Sequence, residues 1–539
     1  MDALFDTSLP ARTTCRNRWI TASLVVAIAA LAAILMPPAV GATTVPAKTA
    51  DSFVDSIGVN THTYYDDTVY YSRFGTVKQR LAELGVRHVR ENLVPDRPDQ
   101  YERLRELAGI GVRSTLIMGD PSEGSSGLDE LVRIAGDELG GAIAALEGPN
   151  EFDMWGGSDW ISGLRPYQER LYSKVKSDPA LVGLPVVGPS IVHRRNQEAL
   201  GDISGHLDYG NIHSYPDGYS PESDLDRHLD SAGNNSAGKA VMATETGYHT
   251  ATGWTGEHNP VSEGAMATYV PRMFFEYFRR GIVRTFSYEL LDEDADSGER
   301  EDNFGLLRND LSEKPAFSAL RNTIDILEDP GPGFAPASVA YSLGGENDDV
   351  HHLLLQKRDG SFYLALWRAV DVVDPESQAS VAAPSGRVTL ALGRQVTSAA
   401  VYRPNASAAP IGTLPVDGGR PLGIDVGAEV TIIRLALGGK QATGRIKAWV
   451  TRRSVPAGGR VAVKGRLPKQ LAGRSMRVKI QQWRGHGWRT VGHSRTRKSG
   501  VFRKKIRMPA KRAGRASRMR VVAGVAKPSR PLRVKIRRR

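Results

Sequence analysis

Two glutamates carry the chemistry-bearing patterns of this 539-residue chain: Glu151 in Glu147-Gly148-Pro149-Asn150-Glu151, and Glu245 in Ala243-Thr244-Glu245-Thr246-Gly247. Each follows a short apolar run, and 94 residues separate them. Two carboxyl groups brought face to face can divide two jobs. One stays protonated and donates to a leaving oxygen, while the other attacks the carbon from which that oxygen departs, the division that glycosidic-bond cleavage uses. With the groups roughly 5–5.5 Å apart, attack gives a covalent intermediate and retained configuration. Repulsion and unequal surroundings must then separate their pKa values. Arg90 is the candidate for keeping one of them ionised.

Such a pair needs a scaffold that brings distant segments to one rim. From Ser52 to Leu327 short apolar runs alternate with helix-like stretches. Eight runs read as strands: Ile57–Asn60, Val86–Arg90, Arg113–Met118, Ile143–Glu147, Pro185–Gly188, Tyr209–Ile212, Ala240–Thr244 and Arg284–Tyr288. Between them, residues 74–84 place apolar side chains at 74, 77, 81 and 84, a helical period. Stretches 166–175 and 265–279 behave similarly, and 316–327 forms the final helix. Eight repeats over about 275 residues match an α/β fold of the (β/α)8, or TIM-barrel, kind. An open doubly wound sheet is the alternative, but no Gly-x-Gly-x-x-Gly turn follows the first strand. In a barrel the chemistry sits at the C-terminal strand ends. Those ends present Asn60 and His62, then Arg90, Glu91 and Asn92, then Asn150 and Glu151, then His213 and Tyr215, then Glu245, and last Tyr288 and Glu289.

The segments Leu146-Glu-Gly-Pro-Asn-Glu-Phe-Asp153 and Ala243-Thr-Glu-Thr-Gly-Tyr248 resemble those of the clan A glycoside hydrolases, retaining (β/α)8 enzymes, over residues 52–327. Closer still, the chain resembles cellulase-type hydrolases of actinobacteria. The resemblance implies Glu151 as acid/base and Glu245 as nucleophile. It implies Asn150 on the sugar 2-hydroxyl, Tyr215 beside the nucleophile, and Arg90 as the strand-2 arginine. The implied activity is retaining hydrolysis of β-linked poly- or oligosaccharide, with no cofactor and no metal. Phe152 stands where many clan members carry Pro, which loosens the subfamily more than the chemistry. The competing function is a non-catalytic carbohydrate- or envelope-binding barrel whose acids have lost alignment.

Other residues have structural readings beside the chemical one. Glu147 would share a strand face with Glu151 and reads as a structural partner within the barrel. His62, His213 and His249 have no metal-ligand spacing and read as hydroxyl-binding groups of the cleft. Trp155, Trp160 and Trp254 lie on loops leaving strands 4 and 7, where they could stack on sugars or pack internally; Trp155 is taken as a binding residue. Residues 289–302 hold many acids after strand 8. Calcium binding is one reading there, and a solvated acidic loop is preferred.

The ends of the chain differ from this middle. Residues 1–42 combine a basic stretch, an uncharged run from Ile20 to Met36 and small residues ending at Ala42. That is a secretory signal pattern, with an uncleaved membrane anchor as the alternative. The expected location is outside the cell or at its envelope. The only cysteine, Cys15, falls in this leader, which excludes a disulfide scaffold. After the linker at 328–336, short alternating runs over 337–438 read as an all-β sandwich accessory domain. Residues 441–539 hold 32 Lys and Arg and no Asp or Glu, whereas 1–440 hold 39 basic and 59 acidic residues. This last part reads as a basic β-sandwich-like domain with Trp449, Trp483, Trp488 and Phe502 as candidate core rings. Its charge would draw a polyanion. An anionic cell-envelope polymer fits export better than nucleic acid, because no groove-reading module is present. The expected state is a monomer acting on carbohydrate.

Overall fold

Strands that are apolar along their whole length need cover on both faces, which parallel sheets wrapped by helices supply. The computed structural model describes residues 43–539, except 296, 346–347, 418–419, 439–445, 468–476, 485–486, 498, 511–512, 523–528 and 539. The leader expected over residues 1–42 lies outside the described residues. Eight parallel strands form one sheet: Ile57–Asn60, His88–Asn92, Arg113–Ile117, Ile143–Glu147, Val186–Val187, Gly210–His213, Val241–Thr246 and Thr285–Ser287. Each pairs with its sequence neighbour, except that the eighth closes onto the first and the fifth meets the sixth through a single bridge, Val187 to Tyr209. The result is the (β/α)8 barrel that the alternation predicts.

The helix Phe74–Leu84 lies where its apolar period puts it. Val77, Leu81 and Leu84 face inward, and Gly85 at φ 81° ends the helix in the left-handed conformation that glycine adopts without steric cost. The helix Trp160–Ser177 begins six residues before the expected start and carries Pro166 inside it. Burial of Trp160 and Leu164 accounts for the earlier start. The second strand runs two residues beyond the expected end. Glu91 stays in the ladder because its carboxyl turns into the protein and takes a hydrogen bond from Thr61 Oγ1 at 2.5 Å.

The β-sandwich follows the barrel. Its sheets contain Val350–Gln356, Phe362–Arg368, Gly386–Leu392, Gln395–Arg403 and Thr431–Gly438, in keeping with the alternating runs expected over 337–438. Two strands from the start of the described chain join it. Thr43–Pro46 pairs antiparallel with Ser338–Gly345, and Lys48–Thr49 pairs parallel with Val350–Gln356. The helix Glu263–Arg280 is buried on almost every side because it lies between barrel and sandwich. Arg272 on this helix donates to Val370 O at 2.8 Å and to Glu222 Oε2 at 2.6 Å; Glu222 also accepts from Trp367 Nε1 at 2.8 Å.

The C-terminal part is a second β structure of three- and five-stranded sheets. Its core is Val461, Val463, Val478, Ile480, Phe502, Ile506, Met519, Val521, Val534 and Ile536. Of the four expected core rings only Phe502 is in this core. Trp449 is 49% exposed, and Trp488 packs edge-on to Trp483 and under Arg520. Period-2 alternation hands the core to the small aliphatic positions and turns these rings outward.

Candidate active site

The fourth strand ends at Glu147, and Gly148-Pro149-Asn150 then carry the chain over the rim. Gly148 is required here, because a Cβ would come within 2.1 Å of Gln168 Oε1 and 2.9 Å of the Pro189 nitrogen. Glu151 itself is left-handed at φ 49°, a conformation that strains a residue with a side chain and that clusters at functional sites. Its amide donates to Ser190 Oγ at 3.0 Å, which fixes the turn.

The seventh strand brings Glu245 into register with His213 on the sixth. One carboxylate oxygen of Glu245, one of Glu151 and a ring nitrogen of His213 all lie within 4.8 Å of one another. The expected glutamate pair is therefore assembled at one rim. Both oxygens of Glu245 are engaged: Arg90 Nη1 donates to Oε1 at 2.5 Å and Tyr215 OH to Oε2 at 2.8 Å. Arg90 also grips Glu147 through Nε at 2.8 Å and Nη2 at 2.7 Å, and Nη2 reaches Asn150 Oδ1 at 2.7 Å. Burial opposes the arginine's charge, but Glu147 and Glu245 outweigh it and hold the guanidinium firmly protonated. Glu147 is sealed from solvent and accepts further from Asn211 Nδ2 at 3.0 Å, so it braces Arg90.

His213 sits differently from the expected hydroxyl-binding role: it is buried against Glu151, with Nδ1 2.6 Å from Oε1. The single hydrogen of Thr244 Oγ1 goes to Asn211 Oδ1 at 2.8 Å or Glu147 Oε1 at 3.0 Å. Its lone pairs therefore receive His213 Nε2–H at 3.0 Å. That bond fixes the ring and leaves one mobile proton between Nδ1 and Glu151. Burial favours neutral Glu151, but the His213 hydrogen bond and the charges of His213 and Arg90 prevail and lower its pKa. In His213 burial opposes the charge, yet Glu245 and Glu151 raise its pKa. Each group thus favours the charged form of the other, and one proton is shared across the 2.6 Å contact.

These groups line a cavity of about 710 Å³ at the C-terminal end of the barrel. Asn150, Arg90, His213, Tyr215, His62, Tyr288 and Trp155 all line it, as do Glu151 and Glu245. Asn150 Oδ1 is occupied by Arg90 and Ser190, leaving its Nδ2 with donor capacity to spare. Trp155 is 53% exposed at the rim. Trp160 and His249 are outside the lining: Trp160 is in a core cluster, and His249 Nε2 meets His258 O at 2.7 Å. Sequence reasoning missed the lining residues His228, on the helix Leu225–Ser236, and Glu257, His258, Arg300 and Phe304, from loops, none of which stands in a local motif.

The acids after strand 8 divide: Asp294, Glu299 and Glu301 are exposed, as a solvated loop predicts, whereas the first of the segment are buried. Glu289 is fully buried and accepts from Tyr70 OH at 2.7 Å, and Asp292 pairs with Lys314 Nζ at 2.7 Å. Burial pushes Glu289 well above the ordinary carboxyl range and Glu293 up to about 7. Burial likewise pushes Glu91 up to about 8, against its hydrogen bonds from Thr61 and Thr63, and lowers His62 to about 4.

No family model matches the chain, and no curated protein matches it. Solved structures do. A family 39 glycoside hydrolase from Bacteroides cellulosilyticus WH2 is similar at 15% identity, covering 73% of this chain and 83% of that one, with a TM-score of 0.51. A bacterial orthologue of human α-L-iduronidase aligns at 12% identity over 92% of this chain and 98% of its own, with a TM-score of 0.45. A glucosidase from Croceicoccus marinus aligns at 11% identity over 91% and 98%, with a TM-score of 0.43. The first of these likenesses establishes architecture: the chain has the (β/α)8 barrel fold found in the family 39 glycoside hydrolase.

Proposed function

We propose that the protein is a retaining O-glycoside hydrolase that cleaves a β-linked, uncharged poly- or oligosaccharide by double displacement. The observation that carries this reading is the approach of Glu151 and Glu245 to within 4.8 Å across an open cavity. Retaining enzymes need roughly 5–5.5 Å, whereas inverting ones leave roughly 6.5–9.5 Å for a water. Glu245 attacks the anomeric carbon, held in place by Arg90 and Tyr215. Glu151 delivers the proton it shares with His213 to the departing oxygen, then takes one back from the water that releases the sugar. The preference for an uncharged sugar follows from the lining. Asp120, Glu123, Glu257 and Glu301 add negative charge, and the lining cations Arg90 and Arg300 are engaged by Glu147 with Glu245 and by Glu301. A sugar carboxylate would find repulsion there. The test is trapping with an activated 2-fluoro-glycoside followed by peptide mass spectrometry. A covalent adduct on Glu245 is expected. An unlabelled protein that still binds oligosaccharide would instead make this a carbohydrate-binding barrel.

The same proposal extends to location. The chain is exported, and its C-terminal domain holds it on an anionic cell-envelope polymer. Arg503, Lys504, Lys505, Arg507, Arg518, Arg533, Lys535 and Arg537 are exposed on its strands while the alternate residues fill its core. Attraction of this kind weakens with salt. The full chain should therefore sediment with isolated cell walls and be released by roughly 1 M salt, where the Debye length falls to about 3 Å. Retention at that salt would overturn the extension.

A further inference from the structure

A second group of ligand-capable side chains lies beside the cavity, and the mechanism above does not use it. His62 follows the first strand; Glu289 and Glu293 follow the eighth. Their ligand atoms all lie within 4.8 Å of one another. His62 Nε2 is 3.5 Å from Glu289 Oε2 and 4.0 Å from Glu293 Oε1. Among the described residues, His62 Nδ1 and Nε2, Glu289 Oε1 and Glu293 Oε1 have no hydrogen-bond partner, although none of these atoms touches solvent. Glu289 is completely buried. Of these, His62 Nε2 and Glu293 Oε1 face each other, and Glu289 joins them through Oε2, which holds the Tyr70 hydrogen bond. Unpartnered buried polar atoms are costly and call for a ligand.

We propose that His62, Glu289 and Glu293 bind a divalent cation of the zinc class. A proton on either carboxyl could satisfy one acceptor and would leave the others without a partner, whereas a single ion meets all three ligands. Donors about 2.0–2.2 Å from a common ion and about 110° apart lie roughly 3.4 Å from one another, and wider angles give about 4 Å. The observed 3.5 and 4.0 Å fall on that scale. The imidazole nitrogen favours zinc over calcium, which takes oxygen ligands. Supporting contacts match what metal ligands need. Tyr70 OH donates to Glu289 Oε2 at 2.7 Å and receives Leu291 N–H at 3.2 Å. The His62 ring is held by stacking on Tyr65, with centroids 4.6 Å apart. The third such group, Glu222, Glu276 and His351, is already neutralised by Arg272 and Arg279 and takes no ion. The ion's role is structural: it ties the segment after strand 8 to the end of strand 1, and His62 carries that restraint to the cavity wall. The proposal does not depend on the glycosidase reading, because binding is measured without substrate.

The experiment uses the full chain stripped with EDTA and titrated with Zn²⁺ against a chromogenic chelator, with Co²⁺ absorption as a second readout. About one equivalent should bind at this site, raising Tm by about 4 °C. Glu293→Gln should weaken binding at least about tenfold and abolish the Tm rise. His62→Gln should do the same, and it serves if Glu293→Gln fails to fold. Diffraction at the zinc edge should place the ion between the three side chains. The proposal is overturned if the stripped protein takes up no Zn²⁺. It is equally overturned if both variants bind as the parent does while Glu245→Gln does not, since the ion would then sit on the glutamate pair.

Discussion

The carboxylates around the cavity fall into two groups with opposite surroundings. Glu147, Glu151 and Glu245 are each met by a cationic side chain, Arg90 or His213, at 2.5–2.8 Å. Glu91, Glu289 and Glu293 are buried or half-buried with no arginine or lysine ion pair among the described residues, and burial raises the pKa of each. The same residue type, at strand ends of one barrel, therefore meets two kinds of surroundings. A cationic partner can hold a carboxylate's charge in a dry site or, as His213 can for Glu151, pass it a proton. Unmatched carboxylates hold protons or call for a cation.

The comparison breaks first at Glu245. If the matched group carries the chemistry, Glu245→Gln removes the only atom that attacks, and kcat should fall roughly 10⁴-fold or more on every glycoside. Glu151→Gln sharpens the point. Its kcat/KM should fall about 10²–10⁴-fold on substrates with a sugar leaving group, yet little on a dinitrophenyl glycoside, whose leaving group departs without protonation and whose kcat falls instead because Glu151 no longer activates the water. Equal losses on both substrates would refute the acid role. The pH profile adds a sign. The proton shared by Glu151 and His213 must be present for the first step, and Glu245 raises the pKa of His213 above its ordinary 6.5. The alkaline limb of kcat/KM should therefore lie above pH 6.5, and a limb below that value would contradict the shared proton.

The unmatched group should show itself in stability. Glu91 rises from 4.5 to about 8 on folding, so the folded state binds its proton more tightly than the unfolded chain does. Its contribution is complete below about pH 4.5 and is lost as pH climbs through about 8. Each pKa unit is worth about 1.4 kcal/mol at most, so a loss of a few kcal/mol is expected across this window. Denaturant unfolding at pH 5 and pH 8.5 should show it, and Glu91→Gln should flatten the slope by that amount. A parallel slope in the variant would mean that Glu91 is not the neutral partner described.

Much of this arrangement can be read along the chain. Eight apolar runs, the helical period over residues 74–84 and the two glutamates at strand ends are local signals, and each is found in place. Partners were harder to see. Nothing near His213 announces that it holds Glu151, because the contact joins residues 62 apart in sequence. Nothing in Thr43–Pro46 says that it will pair with Ser338–Gly345 across nearly 300 residues of intervening barrel. The acids of 289–302 looked solvated because charge is usually exposed; burying Glu289 required Tyr70 and His62, which lie more than 200 residues earlier. Periodicity reports which face is covered, and it does not report what covers a charge.

The smallest expected effect concerns Trp155, which belongs to neither group of acids. Its ring is half exposed at the rim and touches Phe152 edge-on, with centroids 4.7 Å apart. Removing it should cost the fold little, since few of its contacts are buried. If it stacks on a sugar ring beyond the cleaved bond, Trp155→Ala loses about 0.5–1.5 kcal/mol, or roughly 2–12-fold in KM for an oligosaccharide. A monosaccharide aryl glycoside, which does not reach the rim, should show the parent KM, and kcat should stay within about twofold on both. The discriminating result is the pair of KM values. A rise on both substrates would place Trp155 among the groups that position Glu151. A fall in Tm with both KM values unchanged would make it a packing residue for Phe152.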